Sequence, residues 1–192
     1  MGTREHIDSM LQSLADTLHQ IDADQVDALK KAILAADRIF VAGKGRSGLQ
    51  MRAFAMRLMH LGLKAHVVDE TTTPGIEEED LLILGSGSGR TASLLRYAER
   101  VKSVGASLGA IVGDPESPIA ELADTIVFVP ASNYKAGRPP VSAAARAPGS
   151  VLVMGSLFEH SLGLLCDLLV RELMDALDVL ESEMNARHAN LE

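Results

Sequence analysis

The segment RIFVAGKGRSG, residues 38–48, runs from an apolar stretch through a glycine-rich turn into a helical pattern. Gly43, Gly45 and Gly48 spell G-x-G-x-x-G. Asp69 and Glu70 follow about twenty residues on, at the end of a second apolar run, AHVVDE (65–70), which is the spacing of a dinucleotide fingerprint. A second segment, LLILGSGSGRT at 81–91, repeats the design: an apolar run, a turn of glycine and serine, then another helical pattern. Further short apolar runs stand at 108–112 and 125–129. Short apolar strands alternating with helices predict an α/β fold with a parallel sheet covered on both faces. Five such runs, at 38–42, 65–68, 81–84, 108–112 and 125–129, predict five strands in the order 2-1-3-4-5. In that order strands one and three flank the point where strand order reverses, and ligands bind beyond the carboxyl ends of the strands there.

Both glycine-serine turns therefore face one crevice, which changes the meaning of the fingerprint. A dinucleotide enzyme needs one such loop and normally a further substrate-binding region, for which this chain has no room. Two hydroxyl-rich turns at one switch point suit a single phosphate. Glycine lets the backbone approach it, hydroxyls donate, and helix N-termini add partial positive charge. The plain structural reading is that each loop is a common turn, with Ser47 or Thr91 capping its helix.

The 192-residue chain is long enough for one domain with a sizeable core, and it is 47% hydrophobic and 23% charged. No apolar run is long enough to span a bilayer, and MGTREHIDSM lacks the profile of a signal peptide. Cys166 is the only cysteine, which excludes intrachain disulfides and thiolate metal clusters. A cytoplasmic location and no membrane partner are expected. The formal net charge is −8, and the first 37 residues carry seven acids against three bases. That balance argues against a nucleic-acid partner.

Ile7, Met10, Leu11, Leu14, Leu18 and Ile21 recur at helical spacing, and Asp24 can cap a second helix carrying Val26, Leu29 and Ile33. Helices are also expected at 47–61, 91–104 and 156–180, with Gly62 and Gly105 as stops. At most a short helix is expected at 119–123. Residues 130–149 hold four of the seven prolines and little apolar pattern, and a polar tail ends the chain. These limits divide one domain into N-terminal helices (1–37), a sheet-helix core (38–180) and a tail (181–192).

The run S-G-S-G-x-T at 86–91 resembles the signature of SIS (sugar isomerase) domains. GRSG (45–48), FAMRLMHLG (54–62), ETTTP (70–74), MGSLFE (154–159) and RHANLE (187–192) resemble the 6-phospho-3-hexuloisomerases within that group. The resemblance implies isomerisation of 3-hexulose 6-phosphate to fructose 6-phosphate in the ribulose monophosphate route of formaldehyde fixation. It implies no metal, no organic cofactor, a homotetramer with sites shared between subunits, and functional coupling to 3-hexulose-6-phosphate synthase. Arg90 stands where that loop usually carries Glu, and Lys44 where it is commonly small.

On the resemblance, Glu159 is the base that takes a carbon-bound proton and His188 the shuttle between oxygens. Gly45, Arg46, Ser47, Ser86, Gly87, Ser88 and Thr91 are expected to hold the phosphate and substrate, with Lys44 and Glu70 as further candidates. From spacing alone, Ser156 and Glu159 form S-x-x-E, a capping box. The helix N-terminus favours an ionised carboxylate at Glu159, whereas burial against Leu157, Phe158 and Leu162 favours the neutral acid. His188 lies in a tail where a histidine is ordinarily solvated. His60 is expected to pack or cap. His160 is set aside, since neighbours on a helix point in different directions. No His, Asp or Glu pair has metal-ligand spacing.

Overall fold

The computed structural model describes residues 2–131 and 152–191. Two helices, α1 (Thr3–Leu18) and α2 (Ala23–Ala35), lead into β1 (Ile39–Gly43), α3 (Gly45–His60), β2 (Ala65–Val67) and β3 (Leu81–Ser86). Then follow α4 (Ala92–Val104), β4 (Ser107–Val112), α5 (Pro118–Leu122), β5 (Thr125–Phe128), α6 (Ser156–Leu177) and α7 (Glu181–Ala186). The strands form one sheet in the order β2-β1-β3-β4-β5, and each neighbouring pair is parallel. The expected fold and strand order are thus the observed ones.

Strand periodicity divides the core in two. Ile39, Val41, Leu81, Ile83, Ile111 and Val127 face α2, α3 and α6. Phe40, Ala42, Leu82, Leu84, Leu108, Ala110 and Val112 face α4 and α5. Because both faces of β1 and β3 are covered, their sequences read as unbroken apolar runs. Leu162, Leu165, Leu169 and Leu173 of α6 are fully buried at helical spacing. Each such side chain contributes roughly 1.5–3 kcal/mol of transfer free energy.

Gly43 ends β1, and Gly48 lies in the first turns of α3. A Cβ on Gly43 would stand 2.9 Å from Gly48 Cα, and one on Gly48 would stand 2.7 Å from the Gly43 oxygen. The glycine spacing of 43–48 therefore serves backbone contact between strand and helix, a need that no dinucleotide has to impose.

Several boundaries differ from the sequence reading. Asp22, not Asp24, caps α2, its carboxylate accepting from the Asp24 N–H. α3 begins at Gly45 with Lys44 at the N-cap, so Ser47 lies inside the first turn and caps nothing. α6 ends at Leu177, with Asp178 in the left-handed conformation (φ 53°). The tail then folds as α7, whose Met184 is buried against the core. Short polar helices of this kind take their stability from one packed residue rather than from periodicity. Gly105 stops α4 as expected. The proline-rich stretch falls almost wholly on 132–151, outside the described residues.

Candidate active site

Three helix N-termini converge beyond the carboxyl ends of β1 and β3. They contribute Gly45, Arg46 and Ser47 from α3, Thr91 at the N-cap of α4, and Gly155 and Ser156 at the start of α6. With Ser86, Gly87 and Ser88 from the β3–α4 turn, these residues line a cavity of about 380 Å³, and Glu159 and Lys44 line it as well. Unpaired N–H groups and aligned peptide dipoles make each helix start favourable to an anion, and three at one point reinforce one another.

The β3–α4 turn is braced from outside. Ser86 Oγ accepts from the Gly89 N–H at 3.2 Å, and Ser88 Oγ from the Arg90 N–H at 3.3 Å. Each hydroxyl keeps its own proton for a further acceptor. Gly113 donates to the Gly87 carbonyl and Ile119 to that of Gly89. Gly89 takes φ +58° with Ser117 directly against it. Thr91 occupies its N-cap position without a capping bond from its side chain. Arg90 turns outward, donating to Asp114 Oδ2 at 2.9 Å and the Glu116 carbonyl at 3.1 Å. The residue that departs from the usual motif is therefore tied to the β4–α5 turn.

Glu159 is 19% exposed in its side chain and pairs with Arg46, Nε to Oε2 at 2.9 Å. The expected capping box is not formed. The N-cap of α6 is Gly155, so Ser156 is already the first helical residue and its hydroxyl is not the cap. The Glu159 N–H donates to the Gly155 carbonyl, while its carboxylate turns to α3. Arg46 also reaches Ser156 Oγ at 3.4 Å and His160 Nε2 at 3.3 Å. One guanidinium thus gathers both Glu159 and His160, correcting the expectation that His160 stands apart.

Lys44 lines the cavity rim, but its ammonium is hydrogen-bonded to Asp69 and stands 5.5 Å from the centre of the Tyr97 ring. Tyr97 donates to the other oxygen of Asp69 at 2.6 Å. The Asp69 bond raises Lys44 above its ordinary pKa, and Lys44, then Tyr97, hold Asp69 below its own. Asp69 adopts φ 77° there.

Glu70 is not brought into the cavity. It pairs with Arg52 at 2.7 Å, beside a separate open groove that includes Met56, Met59 and Thr73. His188 is distant as well. It stacks at 5.2 Å on His60, the last residue of α3, while the cavity is built on the first residues of that helix. Sixteen helical residues span about 24 Å at 1.5 Å each. His60 is buried, as expected, and burial pushes its pKa down, with the charges of Arg57 and His188 adding to the effect. The Arg187 guanidinium donates to the His60 carbonyl at 2.9 Å and pins the tail to the end of α3.

Leu94, Val153, Met154 and Phe158 complete the apolar side of the cavity. Sequence reasoning had not assigned them to it. MGSLFE contains two of them, Met154 and Phe158, although only its Glu159 carries a group that invites chemistry. No helix among the described residues is long and apolar enough to cross a membrane.

The SIS domain pattern matches residues 32–151. A 3-hexulose-6-phosphate isomerase of Mycobacterium gastri is 42% identical over 93% of this chain and 86% of that protein. One from Bacillus subtilis is 40% identical over the full length of both. A solved structure from Methanococcus jannaschii, described as inferring a 3-hexulose-6-phosphate isomerase function, superposes with a TM-score of 0.82. It is 36% identical over 98% of this chain and 99% of that one.

Proposed function

The chain belongs to the SIS-domain family, and from that premise we infer that it isomerises 3-hexulose 6-phosphate to fructose 6-phosphate through an enediol. The observation that carries this reading is the joint lining of one cavity by three helix N-termini and a carboxylate, Glu159. A phosphate needs the first and proton transfer at carbon needs the second. We read residues 1–192 as one such domain, working without metal or organic cofactor.

The substrate's chemistry sets the tasks. A 3-ketose phosphorylated on O6 cannot close a five- or six-membered ring onto C3, so it reaches the cavity open-chain. The phosphate sits among the N–H groups and hydroxyls of Ser47, Ser86, Ser88 and Thr91, with the backbone of Gly45 and Gly87. The sugar then extends toward α6. Glu159 takes the proton from C2, negative charge gathers on O3, and the C2–C3 enediolate forms. Arg46, already beside Glu159, supplies the cation nearest that charge. A proton passes from O2 to O3, and the protonated Glu159 returns a proton to carbon at C3, leaving the carbonyl at C2 and a hydroxyl on C3.

The group that moves protons between oxygens is His188 of a neighbouring subunit. Its own cavity lies at the opposite end of α3, so within one protomer the tail is misplaced for this role. Exposed apolar residues on three helices support an assembly that brings it to a neighbour. They are Ile7 and Leu11 on α1, Leu49 and Met56 on α3, and Leu164 and Leu168 on α6. We take the assembly to be a homotetramer in the cytoplasm, receiving its substrate from 3-hexulose-6-phosphate synthase.

The test is a coupled assay that reports fructose 6-phosphate, run beside assays of arabinose 5-phosphate and sedoheptulose 7-phosphate isomerisation. Turnover of 3-hexulose 6-phosphate at least about tenfold more efficient than of either alternative supports the assignment. Preference for another sugar phosphate, or binding without turnover, overturns it.

A further inference from the structure

Arg46 donates through three nitrogens to three residues of one helical turn: Glu159 (Nε, 2.9 Å), Ser156 (NH1, 3.4 Å) and His160 (NH2, 3.3 Å). A guanidinium has no acceptor. The His160 contact is therefore a hydrogen bond only if Nε2 carries a lone pair, which requires the neutral ring with its proton on Nδ1. His160 is exposed and does not line the cavity. Among the described residues, it reaches the reacting region through Arg46.

We propose that His160 is a positioning residue for the isomerisation. Its neutral Nδ1–H tautomer holds NH2 of Arg46, which fixes the plane of the guanidinium and keeps Nε on Oε2 of Glu159. The other carboxylate oxygen is then left to meet the carbon-bound proton. This rests on Glu159 being the base. Ser156, the weaker of the two side anchors at 3.4 Å, does not define that plane alone. An imidazolium at this position would offer Arg46 no acceptor, so the contact depends on the neutral ring. Among the described residues, the charged groups in reach are Arg46 from α3 and, on its own helix, Glu159. Lys44 from the β1–α3 turn is engaged by Asp69.

Two measurements on the full-length protein test this. Nitrogen-15 NMR of the His160 ring in wild type should show Nε2 as the unprotonated nitrogen, and that preference should vanish in Arg46→Gln. Kinetically, His160→Ala should lower kcat by roughly tenfold while KM for 3-hexulose 6-phosphate stays within about twofold, the signature of lost positioning. His160→Gln, whose amide oxygen still accepts from Arg46, should recover most of kcat. A protonated Nε2, a wild-type kcat in His160→Ala, or no recovery in His160→Gln overturns the proposal. Glu159→Gln, run in parallel, separates the two claims. An inactive Glu159→Gln beside a wild-type His160→Ala refutes the positioning role alone, whereas an active Glu159→Gln refutes the assignment of the base and the positioning role with it.

Discussion

Replacing Gly89 with alanine should cost about 2–5 kcal/mol of stability, and the structure says where that cost arises. Gly89 holds φ +58°, and a side chain in that left-handed conformation costs about 1–2 kcal/mol. The new Cβ would also lie 1.9 Å from Ser117 Oγ and 2.4 Å from Ser117 Cβ. Rotating the serine removes the first clash but not the second, so the turn or α5 must move, at about 1–3 kcal/mol for overpacking. Ser117→Gly deletes both atoms, and the next neighbour, Val112 Cγ1 at 3.7 Å, is in ordinary contact. Ser117 caps α5 through Ala120, yet glycine at an N-cap costs only about a few tenths of a kcal/mol. The double variant should thus recover about 1–3 kcal/mol and leave the conformational part in place. Urea denaturation of the four proteins at one protein concentration reads this directly. A Gly89→Ala protein within about 0.5 kcal/mol of wild type, or a double variant no better than the single, would refute the close-contact account of this turn.

Three further outcomes are expected. Ser88→Ala should raise KM more than it lowers kcat, because a phosphate contact is shared by ground and transition states; the reverse pattern in steady-state kinetics would remove Ser88 from the phosphate site. The folded state holds the His60 pKa below its ordinary 6.5, so its contribution to stability is complete above that value and is lost as pH falls through the lowered one. Melting temperature should accordingly fall as pH drops below about 6.5, and His60→Gln should flatten that slope; an unchanged slope would contradict the assignment. Mixing Glu159→Gln with His188→Ala should restore activity through re-assorted oligomers, and no recovery despite demonstrated subunit exchange would deny His188 a role in trans.

The sheet was legible because β1 and β3 are buried on both faces, so Ile39–Ala42 and Leu81–Leu84 carry an unbroken apolar signal. The hydroxyl lining of the cavity was legible for a related reason. Ser47, Ser86, Ser88 and Thr91 are fixed by turns local to the strands that precede them. The arrangement around Glu159 was not, because it depends on α3 meeting α6 across 110 residues of sequence. Nothing in GRSG or MGSLFE indicates that Arg46 will choose Glu159 and His160 over solvent. S-x-x-E at 156–159 misled for a local reason, since the helix starts one residue earlier than a serine cap requires. Glu70 misled for a geometric one: it lies three residues beyond the end of β2, where Arg52 of α3 takes its carboxylate.

The central claim is that Glu159 removes the C2 proton of 3-hexulose 6-phosphate in this cavity, and NMR of the reaction in deuterium oxide tests it most directly. Wild-type protein should form fructose 6-phosphate carrying deuterium at C3, since a proton held by a carboxylate exchanges with solvent before it returns to carbon. Glu159→Gln should slow that conversion by about 10²–10⁴-fold, the range of a lost general base. Conversion by Glu159→Gln at the wild-type rate, with the same deuterium at C3, would contradict the account.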